Sequence, residues 1–109
     1  MKSGILYIPD YYPERYTSAS HYYGEMMEQM QYEEELGFDG VFFAEHYVGG
    51  YAFPSPPVFA SAVAQRTKRI RLGTGVTLLP LNNPSRTAEE YAMLNVLSDD
   101  STSVSAVEC

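Results

Sequence analysis

Short apolar runs alternate with stretches of helical period along this chain, and that alternation limits its possible folds more than any other feature. Residues 5–8 and 41–44 are continuous apolar runs, which are typical of buried parallel strands. Residues 70–79 predict a third strand, which Pro80 ends. Strands separated by helices and short loops call for a parallel sheet with right-handed crossovers. The sequence therefore predicts an α/β fold of three strand–helix units.

The first predicted helix carries one apolar stripe. Tyr22, Met26 and Met30 recur at helical spacing between residues 20 and 36, which predicts a helix that buries this side. Gly37 is a natural stop at its C-terminal end. Glu33 falls at the edge of the stripe, where a carboxylate is costly to bury unless it is paired.

Capping residues precede each helical stretch. Ser55-Pro56 and Asn83-Pro84 each place a capping side chain before a proline at the first helical position. The helix that begins after Asn83 is expected to extend to about Leu97. The candidate caps of the first helix are Thr17, Ser18 and Ser20.

Composition argues against several kinds of partner and site. Seven Lys and Arg residues stand against 14 Asp and Glu residues, and the net charge of −7 would repel the phosphate backbone of a nucleic acid. The first apolar run, residues 5–8, is too short for a membrane span or a signal peptide core, so we expect a cytoplasmic protein without membrane contact. With two histidines and only Cys109 as a thiol, we expect no metal site.

His46 follows the second predicted strand, beside Glu45 and before an aromatic loop. Ligand chemistry in parallel α/β folds gathers at the carboxyl ends of strands, and a histidine there can move protons near neutral pH. Position alone, however, favours a hydrogen-bonded histidine at a loop edge. Glu45 is not expected to pair with it, because adjacent strand residues point to opposite faces.

Two tyrosine-rich loops follow the first and second strands, so both should lie at the same end of the sheet. They could wall an apolar pocket, although covering the edge of the core is the simpler interpretation. Their aromatic residues are Tyr11, Tyr12 and Tyr16 in the first loop, and Tyr47, Tyr51 and Phe53 in the second.

Residues 37–47, with the sequence GFDGVFFAEHY, resemble the luciferase-like flavin monooxygenases. The resemblance continues at Ser55-Pro56, in residues 69–76 (RIRLGTGV) and in residues 79–90 (LPLNNPSRTAEE), and spans Gly4 to about Ser98. It implies a (β/α)8 TIM barrel that uses reduced flavin mononucleotide (FMN) and oxygen, with electrons from a reductase, to oxygenate a small organic substrate. This chain would be the N-terminal part of such a barrel, with about three of its βα units.

The resemblance also implies roles for single residues. His46 matches the histidine that serves the family as a catalytic, proton-handling residue, and Glu45 would line the cofactor site. Gly75-Val76 matches the place where the family has a non-proline cis peptide against the flavin ring. Such a bond costs about 3–4 kcal/mol, which a functional site can store as strain.

The chain also departs from the family. Tyr47 stands where a second histidine is common, Asn83 where a histidine is frequent, and Glu33 where a small residue is usual. After Ser98, the polar residues 99–103 replace the glycines and arginine that lead the family into a fourth strand. We therefore expect a partial barrel domain over residues 1–98, a frayed tail over residues 99–109, and a frameshift or premature stop as their origin.

The expected incompleteness has consequences for function. The family holds the flavin phosphate mainly with later strands and loops, so this chain alone is expected to bind FMN weakly and to be inactive. Early helices contribute to the family's dimer interface and raw strand edges favour association, so a homodimer or an aggregate is expected. Two other interpretations stay open: a non-catalytic association module, and a fragment of a deazaflavin-dependent hydride-transfer enzyme.

Overall fold

Four parallel strands form one sheet in the computed structural model, which describes residues 1–47, 50, 53–99 and 102–103. Strands and helices alternate as β1 (Gly4–Tyr7), α1 (Ala19–Leu36), β2 (Gly40–Phe43), α2 (Pro56–Ala64), β3 (Arg71–Thr74), α3 (Pro84–Leu97) and β4 (Thr102–Ser103). Two 3-10 turns, Pro13–Arg15 and Leu79–Leu81, follow β1 and β3. The predicted order of three strand–helix units is confirmed. None of the described helices is both long and apolar enough to cross a membrane.

Neighbouring strands in the sheet are also consecutive in the chain. β1 pairs with β2 from Gly4–Gly40 to Tyr7–Phe43, and β2 pairs with β3 from Gly40–Arg71 to Phe43–Thr74. Each of these parallel pairs is joined through a helix. A strand order that never reverses is that of a TIM-barrel wall, whereas a doubly wound sheet has a point at which the order reverses. The predicted architecture, part of a (β/α)8 barrel, is confirmed.

The helices cover one face of the sheet and bury it. Val41 and Phe43 of β2 and Leu72 of β3 are inaccessible to solvent on this face. Phe43 packs edge-on against Phe59 of α2, with the ring centroids 5.5 Å apart. Burying side chains of this size stabilises the fold by about 1.5–3 kcal/mol each. The same cluster includes Tyr22, Met26 and Met30 of α1, which confirms the predicted apolar stripe.

The opposite face of the sheet is not covered by any described helix. Leu6 and Ile8 are 51% and 52% exposed there. A Cβ atom added to Gly75 would lie 2.9 Å from Leu6 Cδ1 and 3.5 Å from Phe42 Cβ, so these three residues share this face. In a closed barrel the equivalent face is the packed interior. We call it the open face.

Local capping chemistry sets most of the helix boundaries. The Ser18 side chain accepts a hydrogen bond from the first turn of α1, and the Asn83 side chain accepts two from the first turn of α3. Ser55 precedes α2 as predicted, but its side chain makes no capping hydrogen bond. Gly37 ends α1 with φ at 94°, in the left-handed region that favours glycine.

Two boundaries differ from the prediction. β3 ends at Thr74 and not at residue 79, because the chain beyond it bonds to the loop after β2 and then enters the 3-10 turn Leu79–Leu81. Thr102–Ser103, expected in a frayed tail, pairs with β3 as β4. The open edge of β3 offers unpaired backbone groups, which recruit such a strand. The other residues of the predicted tail, apart from Asp99, lie outside the described residues.

Glu33 is buried on α1, with 4% of its surface exposed. Its Oε1 accepts hydrogen bonds from the Tyr7 hydroxyl and from Gln29 Nε2, the latter at 3.3 Å. Oε2 has no hydrogen-bond partner among the described residues. Burial, together with the hydrogen bond to this carboxylate, raises the pKa of Tyr7. The expected cost of burying Glu33 is therefore offset at one of its two oxygens.

The next carboxylate, Glu34, fastens α1 to the start of β3. Its oxygens accept from the backbone N–H groups of Lys68, Arg69 and Ile70 at 2.7–3.2 Å. Burial alone would raise the pKa of Glu34, but these hydrogen bonds and the Arg69 charge lower it below its ordinary value of 4.5. The ionised carboxylate is therefore the form that holds the loop before β3.

Replacing Glu34 with Gln should lower the free energy of unfolding by about 1–2 kcal/mol, because an amide oxygen accepts from the three backbone N–H groups less strongly than a carboxylate does. The loss is no larger because the side chain is partly exposed to solvent. Since the folded pKa is depressed, this stabilisation is present above pH 4.5 and is lost as the pH falls through the folded pKa. Urea unfolding at neutral and at acidic pH measures both effects. Glu35→Gln is the control, since this exposed neighbour carries the same charge. Equal losses in the two variants would contradict the prediction.

Candidate functional site

The carboxyl ends of β2 and β3 meet at one edge of the sheet. Gly75 N–H donates to the Phe43 carbonyl at 2.9 Å, and Glu45 N–H donates to the Val76 carbonyl at 3.3 Å. These bonds continue the pairing of the two strands past their regular ends. The structure therefore brings Glu45, His46, Gly75 and Val76, all singled out from the sequence, to the same edge.

Gly75 belongs to the open face, and strand alternation assigns His46 to the same face. Continuing the alternation of β2 places His46 in the same row as Phe42, and Gly75 shares the face of Phe42. His46 is half-buried, and its backbone N–H donates to the Phe53 carbonyl at 3.0 Å. The space over Gly75 is taken by Leu6 and Phe42, so these side chains form the surface of the open face at this point.

Glu45 is directed away from the open face, toward the amino-terminal ends of α2 and α3, and is 5% exposed. Its Oε2 accepts from Leu78 N–H at 2.8 Å. Its Oε1 accepts from Asn82 Nδ2 at 3.0 Å and from the Tyr47 hydroxyl. Within the described ranges no His, Cys, Asp and Glu side chains form a group that could hold a metal ion. The Glu45 carboxylate thus serves as an acceptor for three neutral donors.

Tyr47 and Asn82 are site residues that sequence reasoning missed as partners of Glu45. Asn82 lies 37 positions after Glu45, and the two meet only because β2 and β3 are neighbours. Burial raises the pKa of Tyr47, and the hydrogen bond to Glu45 raises it further. In the sequence, Tyr47 counts as a member of the aromatic loop and as a departure from the family pattern, although the i, i+2 spacing of an extended chain places it on the same face as Glu45.

The tyrosine-rich loops cover the core where the structure describes them. Phe53 is 1% exposed and belongs to the core cluster, against which Tyr11 and Tyr16 pack. Tyr11 N–H donates to the Gly50 carbonyl at 2.6 Å, which joins the two loops. Tyr51 lies outside the described residues. The simpler of the two interpretations, a cover for the core, therefore holds for the described part.

The predicted cis peptide between Gly75 and Val76 is wrong. All peptide bonds among the described residues are trans. A non-proline cis bond is about 3–4 kcal/mol less favourable than a trans bond, so it needs compensating contacts. Here the trans chain already lets the Val76 carbonyl accept from Glu45 N–H.

Replacing Glu45 with Gln should move the pKa of Tyr47 back toward 10.0, the ordinary value, because the substitution removes both the charge and the stronger acceptor. Since the folded pKa is raised, the hydrogen bond stabilises the site fully below pH 10.0 and is lost as the pH rises through the raised value. A 13C NMR titration of tyrosine ring carbons, assigned with Tyr47→Phe, measures this. Burial raises the pKa of Tyr22 to about 12, and that signal should not respond. A Tyr47 pKa unchanged by Glu45→Gln would refute the prediction.

The chain is similar in sequence to a known family and to several known enzymes. A family model of luciferase-like monooxygenases matches residues 1–101. Limonene 1,2-monooxygenase of Rhodococcus erythropolis is 40% identical over 73 residues, which are 66% of this chain and 19% of that protein. The oxygenase component of the flavin-dependent trigonelline monooxygenase of Acinetobacter baylyi is 32% identical over 78 residues, 71% of this chain and 22% of that protein. The F420-dependent glucose-6-phosphate dehydrogenase of Amycolatopsis mediterranei is 32% identical over 92 residues, 77% of this chain and 27% of that protein.

A solved structure also shows similarity to the luciferase-like monooxygenases. The monooxygenase RslO1 of Streptomyces bottropensis superposes with a TM-score of 0.89 at 35% identity, covering 97% of this chain and 32% of that one. The chain therefore spans about a fifth to a third of the length of the proteins it matches. Because the structural match covers nearly all of this chain, the edge that carries His46 lies within it.

Proposed function

The chain belongs to the luciferase-like monooxygenase family, and on this premise we propose that it forms the N-terminal, histidine-bearing part of a flavin-dependent monooxygenase site. One observation supports this above all. His46 and the Gly75-Val76 segment lie at the same edge of the sheet, joined through the backbone hydrogen bonds of Glu45 and Gly75. An acid–base side chain beside an apolar sheet face suits a planar redox cofactor.

The described residues fit the ring of FMN better than its phosphate. On the open face, Gly75 has no side chain of its own and is flanked by the apolar side chains of Leu6 and Phe42, against which a flat ring can pack. The basic side chains near this end have other partners: Arg86 pairs with Glu90 at 2.8 Å, and Arg15 lies over the ring of Tyr12. Phosphate recognition needs basic side chains or free backbone N–H groups. We therefore assign only the ring contacts to this chain.

Reduced FMN, when bound, supplies the electrons for oxygenation of a small organic substrate. In this proposal His46 holds or moves a proton at an imidazole nitrogen, and Gly75 and Val76 meet the ring. Glu45 supports this part of the site from the helix side of the sheet. A separate reductase delivers the reduced flavin. The trigonelline relative supports that partner, because it is named as the oxygenase component of its system.

A deazaflavin cofactor is the second candidate. The F420-dependent relative from Amycolatopsis mediterranei covers more of this chain than the other two relatives described above. The reaction would then be hydride transfer at the same edge of the sheet, with His46 again handling a proton. Parallel titrations with FMN and with F420 discriminate between the two cofactors, because tighter binding of F420 favours the dehydrogenase interpretation.

We expect this chain alone to bind FMN with a dissociation constant well above about 1 μM, because the described strands form only part of a barrel wall and leave the ring exposed to water on one side. Quenching of FMN fluorescence during titration measures the affinity. Submicromolar binding would contradict the expectation of a weak, incomplete site.

NMR at high FMN concentration can locate even weak binding. Shifts should be confined to the edge that carries His46, Gly75 and Val76. His46→Asn should weaken binding about tenfold, the loss of roughly one hydrogen bond to a charged or polar group. His21→Asn is the matched control, since His21 lies on the exposed start of α1 and pairs with Glu25. Equal effects of the two substitutions, or shifts elsewhere in the molecule, would rule out the proposed site.

Self-association is a further expectation that the surface supports. Val58 of α2 is 72% exposed, and Met93 and Val96 of α3 are 65% and 77% exposed. We propose that these side chains form a homodimer contact. Light scattering after size-exclusion chromatography should show a dimer that Val96→Glu converts to monomer, whereas the exposed-site control Glu89→Gln should not. A strictly monomeric, folded wild-type chain would exclude this contact.

A further inference from the structure

We propose that Glu45 is a positioning residue, whose carboxylate holds the His46-bearing loop and the 75–78 segment in one arrangement. We call Glu45 and its three donors, Leu78, Asn82 and Tyr47, the clamp. The role of this arrangement in flavin chemistry rests on the proposed function. The contacts of Glu45 keep the two parts of the site in register. Glu45 would act from the helix side of the sheet and not by touching a ligand on the open face.

The burial of Glu45 makes the clamp specific. A carboxylate that is 5% exposed loses most of its hydration, and only well-placed donors restore the lost free energy. The donors come from three separate positions: the Leu78 backbone, the Asn82 amide and the Tyr47 hydroxyl. Moving the segment after β3 would leave Oε2 without its Leu78 donor, and moving Tyr47 would remove one of the two donors to Oε1, so the two loops are coupled.

The segment after β3 depends on these contacts because it has little regular structure of its own. β3 ends at Thr74, and the 3-10 turn begins at Leu79. Between them, Glu45 N–H donates to the Val76 carbonyl, and the Glu45 side chain accepts from Leu78 N–H. Glu45 therefore binds residues 76 and 78 of this segment, whose first two residues the proposed function places against the flavin ring.

Asn82 also stabilises the 3-10 turn Leu79–Leu81. Its side-chain Nδ2 donates to the Leu78 carbonyl at 2.8 Å as well as to Glu45 at 3.0 Å. The amide thus fixes the turn internally while joining it to β2. Tyr47 lies in the same loop as His46, and its hydroxyl donates to the Glu45 oxygen that also accepts from Asn82. It thereby joins the His46 loop to the carboxylate.

Glu90 offers a matched control for charge. Its side chain lines the same small cavity as Glu45, but it pairs with Arg86 and not with the clamp donors. Glu45→Gln and Glu90→Gln each remove one negative charge from this cavity. Differences between these two variants therefore report the hydrogen bonds and not the charge.

The experiment is NMR of the full chain without flavin. Glu45→Gln should speed hydrogen exchange at the Leu78 amide about tenfold, through loss of a charge-assisted hydrogen bond. It should also shift the His46 ring signals and the Gly75 and Val76 amides. Tyr47→Phe should shift the same signals in the same direction by less, since two donors remain. Glu90→Gln should leave all of them in place.

Loss of Leu78 protection without any change at His46, Gly75 or Val76 would overturn the positioning role, because the carboxylate would then support only the turn. Equal shifts in Glu45→Gln and Glu90→Gln would overturn it as well. If circular dichroism shows that Glu45→Gln is unfolded, Tyr47→Phe and Asn82→Ala are compared instead. Shifts of the His46 ring signals along one line, different in size between the two variants, support the clamp. His46 signals that do not move in either variant refute it. A failure of FMN to perturb His46 in the earlier titration would refute the proposed function alone.

Discussion

Val41, Phe43 and Leu72 are shielded from water because α1 and α2 lie over one face of a parallel sheet. This one-sided burial is the constraint on which the rest of the structure depends. Since successive strand residues point to opposite faces, packing these side chains against the helices sends their neighbours to the other side. Phe42 and the bare backbone of Gly75 therefore lie on the open face. The core thus determines which face can carry chemistry.

The edge of the sheet is organised by a second, electrostatic constraint. A buried carboxylate at Glu45 is stable only with its donors in place, and those donors come from the loops after both β2 and β3. Backbone bonds to β2 and to Glu45 hold Gly75 and Val76, but Leu78 N–H is held by the Glu45 side chain. Hydrogen bonding on the helix side therefore shapes the backbone that the open face presents.

Local signals in the sequence predicted much of the fold. Ser18, Asn83 and Gly37 act through their immediate neighbours, so their capping roles were readable in advance, and the helices they bound lie where expected. The end of β3 was predicted five residues too late, at 79 instead of 74. An apolar run cannot show that its last residues bond to a distant loop. The predicted cis peptide failed for a related reason, because it came from a family pattern and not from the contacts around Val76.

The sequence by itself determined the order of strands and helices and the family, because periodicity, caps and motifs each lie within short stretches of chain. It also placed His46 after the second strand and Gly75-Val76 within the predicted third strand, whose earlier end only the structure showed. Only the tertiary structure decided that the Glu45 carboxylate turns to the helix side and meets Asn82, 37 positions away. The physical reason is that a buried charge takes whichever donors the packed chain brings near, and those distances exist only after folding.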